Sequence, residues 1–303
     1  MASVLVSGGT GYVGRFIVEA LLDAGHVVAV FGRTAPQRGF FSREVGFVEG
    51  SLDPDRDQER AFAGIDHFVH AAFHHLPGRY RGGEGDDPTT FRRLNADGSI
   101  ALFEQAKRAG VKRVVFLSSR AVYGRQPPGT ALTENTPPLP DTLYGQVKRE
   151  AERALAGLSG EDFAGVTLRV TGVYGPGGLG KTHKWAGLFE DFLTGNTIAP
   201  RVASEVHGAD VGAAVRVALE ADQESVAAEV FNVSDIVLDR RDLLADVNRV
   251  TGSYFELPPA GDRSGLNVMA TEKLEALGWQ PGGMALLEDT VKAMCDRTMR
   301  PVR

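Results

Sequence analysis

Tyr144 and Lys148 lie four residues apart in the segment LYGQVKRE, whose apolar spacing is typical of an amphipathic helix. Four residues advance about 6 Å along a helix and return to the same face, so the phenol and the ammonium can reach one site. A tyrosine with the ordinary pKa of about 10 is a poor general base near neutrality. A neighbouring cation stabilises the phenolate and lowers that pKa, so the pair predicts proton transfer to or from a substrate oxygen.

Two serines end an apolar run upstream of this helix, in the segment KRVVFLSS at 112–119. The run is apolar on consecutive positions, as expected for a strand that is covered on both faces. Ser118 and Ser119 would then lie at the edge of a sheet. A hydroxyl at that edge can orient the substrate oxygen that exchanges its proton with Tyr144.

A glycine cluster near the amino terminus predicts a phosphate site. Gly8, Gly9, Gly11 and Gly14 follow an apolar run at 3–7 and open a helical pattern at 11–24. The cluster fits the dinucleotide fingerprint, either as G-x-G-x-x-G from Gly9 or in a wider spacing from Gly8. Glycine permits the tight turn and the close approach of a pyrophosphate, while the start of the helix supplies free N–H groups and partial positive charge.

The end of the second apolar run, VVAVF at 27–31, bears on the choice of dinucleotide. An acid about 20 residues after the glycines accepts hydrogen bonds from the ribose 2′-hydroxyl and selects NAD. Here the run ends in Gly32 and Arg33. Glycine leaves room for a 2′-phosphate, and a guanidinium can pair with it. The sequence therefore favours NADP over NAD, although NAD is accommodated if Arg33 only stacks on adenine or faces solvent.

The elements that must position these residues alternate between strand and helix. Strands are predicted at 3–7, 27–31, 66–72, 112–119 and 165–170, and helices at 11–24, 89–109 and 143–158. Such alternation predicts right-handed βαβ units and an α/β fold, a Rossmann-like doubly wound parallel sheet with a smaller C-terminal substrate-binding lobe. We expect residues 1–174 to form the NAD(P)-binding domain and 175–303 mainly the lobe, with about 205–235 returning to the Rossmann core.

At this level of detail the sequence resembles the extended short-chain dehydrogenase/reductases, also called NAD-dependent epimerase/dehydratases. The resemblance covers GGTGYVG at 8–14, HAA at 70–72, the segment from Asn95 to the two serines, AVYG at 121–124, Tyr144-x-x-x-Lys148, LRVTGVYGPG from Leu168, EVHGADVGAA from Glu205 and NVMATEKLEALGWQP near the end. Each motif alone is common, but together they are specific.

The resemblance implies a role for each matching position. Ser119 would be the catalytic serine, Tyr144 the acid and base, and Lys148 the residue that holds the nicotinamide ribose and lowers the tyrosine pKa. The residues that it implies for the cofactor are Gly8, Gly11, Tyr12, Val13, Gly14, Arg33, Ser51, Leu52, Ala71, Ala72, Ser118, Tyr144, Lys148 and Thr171. Ser51 stands where many members carry an Asp next to the adenine; Asp53 would either replace that contact or cap the following helix. Asn95 would either brace the helix beside the site or make a local hydrogen bond.

Departures from the family pattern narrow the chemistry. Arg120 and Ala121 follow Ser119 where dehydratases carry an Asp-Glu pair, so dehydration is not expected. Gly172 and Ala203 stand where nucleotide-sugar epimerases carry an Asn and an Arg near the substrate diphosphate; Arg201 is close in sequence. The polar residues singled out as substrate contacts are His74, His75, Lys181, His183 and Lys184. No His, Cys and carboxylate set has metal-ligand spacing, so no metal is predicted.

The predicted function is that of an NAD(P)-dependent oxidoreductase, which transfers hydride at a hydroxyl or carbonyl carbon of a sugar-like or other small polar substrate. The alternative is a nucleotide-sugar epimerase with tightly bound NAD, because the same Ser-Tyr-Lys set serves both reactions. A third interpretation, a dinucleotide-sensing regulator without chemistry, is disfavoured because such proteins usually lack the tyrosine or the lysine.

Composition excludes several partner classes. The 303 residues carry a formal net charge of -6 with scattered basic residues, which argues against nucleic-acid binding. No apolar stretch approaches the roughly 18 residues of a membrane span. The single cysteine, Cys295, and the absence of a leader-like start favour the cytoplasm. The family pattern implies a homodimer through the helices at 89–109 and 143–158; the apolar face there is equally compatible with packing on its own sheet.

Overall fold

Seven parallel strands form the main sheet in the computed structural model, which describes residues 1–76 and 82–298. They are β1 (Ser3–Ser7), β2 (Val27–Gly32), β3 (Gly46–Glu49), β4 (His67–His70), β5 (Arg113–Ser119), β6 (Ala164–Val170) and β9 (Val230–Val233). Their order is β3-β2-β1-β4-β5-β6-β9, and every neighbouring pair is parallel. The chain reverses its direction across the sheet between β1 and β4, which is where doubly wound folds bind ligands.

Helices cover both faces of this sheet. On one face, α1 (Tyr12–Asp23) and α6 (Gly208–Glu220) share a buried apolar cluster with the strands. On the other, α3 (Gly98–Arg108) and α4 (Leu143–Leu158) do so. The consecutive apolar residues of β5 and β6 are buried because both faces are covered. The predicted α/β, Rossmann-like doubly wound sheet is confirmed.

The prediction of a single α-helix at 89–109 is wrong. The structure has α2 (Pro88–Arg92), a π-helical turn (Arg93–Asp97) and then α3. Asn95 gives the physical reason, because its side-chain amide donates to the carbonyl of Phe91, the acceptor that a regular α-helix would give to the Asn95 N–H. The wider turn that results turns Asn95 inward, where it is buried.

A second sheet and its helices form the part of the molecule that the sequence predicts to bind substrate. In this three-stranded sheet, β8 (Val202–His207) pairs in parallel with β7 (Gly172–Tyr174) and antiparallel with β10 (Ile236–Asp239). The remaining helices are α5 (Ala186–Leu193), α7 (Gln223–Val226), α8 (Arg240–Thr251), α9 (Glu272–Glu275) and α10 (Gly283–Thr298). Helices α5, α8 and α10 share an apolar cluster that includes Cys295. Although they follow the loop at 175, α6 and β9 pack with the main sheet; the division at 174 stays a prediction.

Candidate active site

A cavity of about 940 Å³ opens at the carboxyl ends of β1, β4, β5 and β6 and extends to β7 and β8. All the predicted site residues line it except Arg33, Ser51 and Leu52. The glycine turn, Ser119, Tyr144 and Lys148 therefore face one space, although they come from distant parts of the sequence. Three residues that follow β4 also line the cavity, Ala71, Ala72 and Phe73.

The glycine turn between β1 and α1 fits a dinucleotide. Gly8 has φ +71°, and a Cβ there would lie 2.6 Å from the backbone N of Ala72, so only glycine lets this turn pack against the end of β4. The first turn of α1 carries no acidic residue, and its N-cap residue, Gly11, makes no side-chain capping bond. The positive end of the helix dipole therefore faces no carboxylate from its own first turn, which favours a phosphate at this position.

Tyr144 lies in the first turn of α4, whose start is fixed by Thr142. The Thr142 hydroxyl accepts a hydrogen bond from the Gly145 N–H at 3.1 Å and so caps the helix. The Tyr144 ring is half-buried and packs edge-on against Phe73, with the ring centroids 5.1 Å apart. Phe73 was not singled out in the sequence, because a single aromatic residue after a strand carries no motif.

Lys148 lies one turn further along α4, buried beside the cavity. Its Nζ donates to the carbonyl of Leu117 at 2.6 Å and lies 4.6 Å from the ring centroids of both Phe73 and Phe116. Burial lowers the pKa of Lys148 to about 7, while the carboxylate of Glu152 acts in the opposite direction. The ammonium uses one of its three N–H donors on Leu117, so the predicted contact with a ribose is compatible with this position.

The two serines at the end of β5 face different partners. Ser119 Oγ accepts a hydrogen bond from the Ala121 N–H at 3.2 Å, which leaves its hydroxyl proton for a ligand in the cavity. Ser118 Oγ donates to Glu152 Oε1 at 2.5 Å. Ser119 is thus the better placed of the two to contact substrate, and Ser118 supports the strand end.

A buried polar network behind the predicted catalytic residues was missed in the sequence. Glu152 lies on α4 one turn after Lys148, and its carboxylate is paired in a bidentate manner with Arg169 on β6, at 3.0 and 2.7 Å. Arg169 also lies over the ring of Tyr123 at 4.7 Å, and the Tyr123 hydroxyl donates to Asn232 on β9. The spacing of Glu152 from Lys148 was a signal, because i and i+4 share one helix face.

Three of the predicted cofactor residues lie outside the cavity. Arg33 directly follows β2, and Ser51 and Leu52 come shortly after the end of β3. Arg33 is exposed, the Ser51 N–H donates to Gln58 Oε1 at 2.8 Å, and the Leu52 carbonyl packs against Gly98. Asp53 forms an ion pair with Arg93 at 2.7 Å. The contacts of these residues with an adenosine group remain predictions.

Asn95 braces the loop that follows β4. Its Oδ1 accepts from the His74 N–H and its Nδ2 donates to the His74 carbonyl, both at 2.7 Å. The two bonds hold the backbone beside Phe73. Of the two histidines in this loop, only His75 lines the cavity.

The part of the cavity beside β7 and β8 is lined by residues that the sequence marked as departures from the family pattern or as substrate contacts. Gly172, Ala203 and Arg201 all line it, as do His183 and Lys184, whereas Lys181 does not. Arg120 lines it too and donates to the Asn267 carbonyl at 2.9 Å.

The parallel sheet carries a glycine turn at its switch point, and a serine, a tyrosine and a lysine face the same cavity. This combination defines a dinucleotide-binding protein of the short-chain dehydrogenase/reductase class. Residues 4–234 match the NAD dependent epimerase/dehydratase family, and the chain belongs to this family.

Three known proteins illustrate the similarity. The chain is 33% identical over 182 residues to a UDP-glucose 4-epimerase of Azospirillum brasilense, covering 59% of this chain and 51% of that one. It is 31% identical over 203 residues to a 3-beta-hydroxysteroid dehydrogenase of Mycolicibacterium neoaurum, covering 65% and 53%. The match thus spans about half the length of each of these relatives. The structure of the Thermus thermophilus UDP-glucose 4-epimerase in complex with NAD superposes with a TM-score of 0.78 at 28% identity, covering 99% of this chain and 100% of that one. Within the described residues, no helix is long and apolar enough to cross a bilayer.

Proposed function

We propose that the protein is an NAD(P)-dependent enzyme that oxidises and reduces a hydroxyl-bearing carbon of a sugar-like substrate. The observation that carries this proposal is that Ser119, Tyr144 and Lys148 line the same cavity as the glycine turn. A regulator that only binds dinucleotide has no need of a phenol, a serine hydroxyl and a buried ammonium beside that turn.

Tyr144, Ser119 and Lys148 each have a separate role in the proposed reaction. A dinucleotide held by the glycine turn and Lys148 would supply the hydride chemistry at the substrate carbon. During oxidation the Tyr144 phenolate takes the hydroxyl proton, and during reduction the phenol gives it back. The Ser119 hydroxyl orients the same oxygen. Lys148 in its cationic form favours the phenolate, and its contacts with Leu117, Phe73 and Phe116 fix its position.

The first specific reaction is the 4-epimerisation of a nucleotide sugar with retained NAD. It is supported by the names of the Azospirillum brasilense and Thermus thermophilus proteins, the latter described in complex with NAD. The test is incubation with UDP-glucose and NAD, followed by separation of UDP-glucose from UDP-galactose. Formation of UDP-galactose without net change at 340 nm supports epimerisation, and its absence with active, cofactor-loaded protein excludes this substrate.

The second reaction is net oxidation or reduction with NADP. It is supported by the end of β2, where a Cβ on Gly32 would have no atom within 4 Å and the exposed Arg33 follows. The dehydrogenase of Mycolicibacterium neoaurum is a relative of this kind by name. A panel of sugars, sugar acids and nucleotide sugars, followed at 340 nm with NAD and NADP separately, tests it. A stoichiometric absorbance change with NADP and not with NAD supports the preference.

The proposal extends to the assembly and the compartment. A homodimer through α3 and α4 is expected from the family pattern, whereas Leu102 and Phe103 of α3 are buried in the core of their own chain. Light scattering after gel filtration decides between a monomer and a dimer. Cys295 is buried and burial raises its pKa to about 11, which suits a thiol kept reduced in the cytoplasm.

A further inference from the structure

Gly172, at the start of β7, leaves a space that an ion pair fills. In the parallel pairing of β7 with β8, Gly172 is in register with Glu205. A Cβ at position 172 would lie 2.5 Å from Glu205 Oε2 and 2.6 Å from Lys184 Nζ. Lys184 and Glu205 form an ion pair at this point. Any side chain larger than hydrogen at 172 would therefore displace the pair.

The desolvation of these two charges costs free energy that their mutual attraction must offset if the pair serves stability alone. The Glu205 side chain is 7% exposed and that of Lys184 31% exposed. Burial raises the pKa of Glu205 and lowers the pKa of Lys184, so the surroundings disfavour both charges. Apolar residues of similar size are often as stabilising as a buried ion pair, or more so. A role in binding explains why charged groups occupy this position.

The pair also separates two cavities. Lys184, Arg201, Ala203 and Glu205 line both the large cavity and a neighbouring one of about 160 Å³. A substrate that extends from Tyr144 towards the second sheet meets this wall. The pair therefore lies where the shape and the polarity of the substrate are recognised.

Both members of the pair have unused hydrogen-bonding capacity. Glu205 Oε2 accepts from Lys184, but Glu205 Oε1 accepts no hydrogen bond from residues 1–76 or 82–298. Lys184 Nζ makes one hydrogen bond within the same residues and carries three donors. One acceptor and two adjacent donors match two neighbouring hydroxyl groups, each of which can donate and accept.

We propose that Lys184 and Glu205 are specificity-determining residues that bind neighbouring hydroxyl groups of a polyhydroxylated substrate, with Glu205 accepting and Lys184 donating. The assignment rests on the proposed function, since it presumes a sugar-like substrate. It explains how this chain recognises substrate with glycine at 172 and alanine at 203.

The charge of Glu205 distinguishes this role from anion binding. Arg201 and Arg240 lie beside the pair and are cationic, so an anionic substrate group is the alternative ligand for Lys184. A carboxylate repels an anion, so its neutralisation in Glu205→Gln would then tighten binding. If Glu205 accepts from a hydroxyl, the same substitution replaces a charged acceptor by a weaker neutral one and weakens binding.

The test compares wild-type protein, Glu205→Gln and the matched control Glu190→Gln, which removes an exposed charge on α5 outside both cavities. With NAD-loaded protein, the dissociation constant of UDP-glucose is measured by calorimetry and its KM and kcat by turnover. We expect Glu205→Gln to raise KM and the dissociation constant about ten- to hundredfold with kcat little changed, and Glu190→Gln to match wild type. A lowered or unchanged dissociation constant in Glu205→Gln overturns the assignment.

A double variant guards against a folding defect. Lys184→Met with Glu205→Leu replaces the pair by apolar side chains of similar length, and the Glu205 position is buried enough to tolerate one. It should keep the thermal unfolding temperature and the affinity for NAD, and lose at least about tenfold in affinity for UDP-glucose. Unchanged affinity in this folded variant overturns the assignment by itself. If the wild-type protein neither binds nor converts UDP-glucose, the proposed function fails for this substrate and the assignment fails with it.

Discussion

Phe73 contacts Tyr144, which is proposed to transfer the proton, and Lys148, which is proposed to favour the phenolate. Its ring packs edge-on against Tyr144 and lies 4.6 Å from Lys148 Nζ. The aromatic face attracts the ammonium, and the perpendicular contact between the two rings restricts the phenol, so one side chain orients both groups. The loop that carries Phe73 is in turn held by the side chain of Asn95. The geometry of the proposed proton transfer would thus depend on a residue that itself does no chemistry.

At the residue scale, Tyr144→Phe should abolish most turnover while the protein still binds dinucleotide. The substitution removes only the hydroxyl, and a general acid or base contributes about 10²- to 10⁴-fold. The measurement is kcat with the best substrate, together with NADH or NADPH titration by fluorescence. The control is Tyr254→Phe, because Tyr254 is 96% exposed. Full activity in Tyr144→Phe would show that another group transfers the proton.

At the element scale, Glu152 joins α4 to the ends of β5 and β6. Its carboxylate accepts from Ser118 on β5 and pairs with Arg169 on β6, while Lys148 precedes it by one turn. Because Glu152 and Arg169 are both almost fully buried, the position of α4 on the sheet is fixed by a charged contact rather than by apolar packing alone.

Glu152→Gln should therefore destabilise the protein by about 3–5 kcal/mol, since it leaves the buried Arg169 without a counter-charge. Urea unfolding followed by circular dichroism measures the free energy of unfolding. Glu150→Gln, on the exposed side of the same helix, breaks the surface pair with Arg92 and should cost about 1 kcal/mol or less. Equal losses in the two variants would contradict a special role of the buried pair.

The turn between β1 and α1 makes a second prediction at this scale. A Cβ at Gly14 would collide with the carbonyl oxygen of Gly8, so Gly14→Ala should distort the turn and abolish dinucleotide binding. Gly157→Ala in α4 is the matched control, because a Cβ added at Gly157 would have no atom within 4 Å apart from its chain neighbours and the nearby backbone of its own helix. This control should bind normally and be up to about 1 kcal/mol more stable. Fluorescence titration with NADH and NADPH compares the two, and wild-type affinity in Gly14→Ala would refute the packing argument.

At the scale of the whole molecule, the sequence predicts the strands of the seven-stranded sheet better than those of the three-stranded sheet. The strands at 3–7 and 112–119 and the helix at 143–158 were predicted within a residue, because continuous apolar runs and helical spacing are local signals. Strands β3, β7, β8, β9 and β10 were not predicted, since they are short and owe their existence to pairing with distant partners. The Lys184–Glu205 pair and the Glu152–Arg169 pair were missed for the same reason. They depend on sheet register, which no single segment contains.

The two halves of the molecule are joined at the start of α10 by two carboxylates. Asp235, in the turn after β9, accepts from the Gly283 N–H at 2.9 Å, and Asp210 on α6 accepts from the N–H of Gly282. The Asp210 carbonyl also accepts from the indole of Trp279 at 2.9 Å. Burial and the nearby Asp235 raise the pKa of Asp210 to about 6, although the bond from Gly282 acts in the opposite direction. This junction is thus sensitive to pH.

The last prediction follows from the sign of that shift. A carboxyl with a pKa of about 6 in the folded protein and 3.8 when unfolded stabilises the fold fully below pH 3.8, and this stabilisation is lost as the pH rises through 6. Asp210→Asn can still accept from Gly282 but does not ionise. Its free energy of unfolding relative to wild type should therefore increase by about 2 kcal/mol between about pH 4.5 and 7.5, measured by urea unfolding at both pH values. Asp289→Asn, exposed on α10, should show no such change. A difference between Asp210→Asn and wild type that is independent of pH would mean that Asp210 is already ionised at the lower pH, and that the junction does not respond to pH through this group.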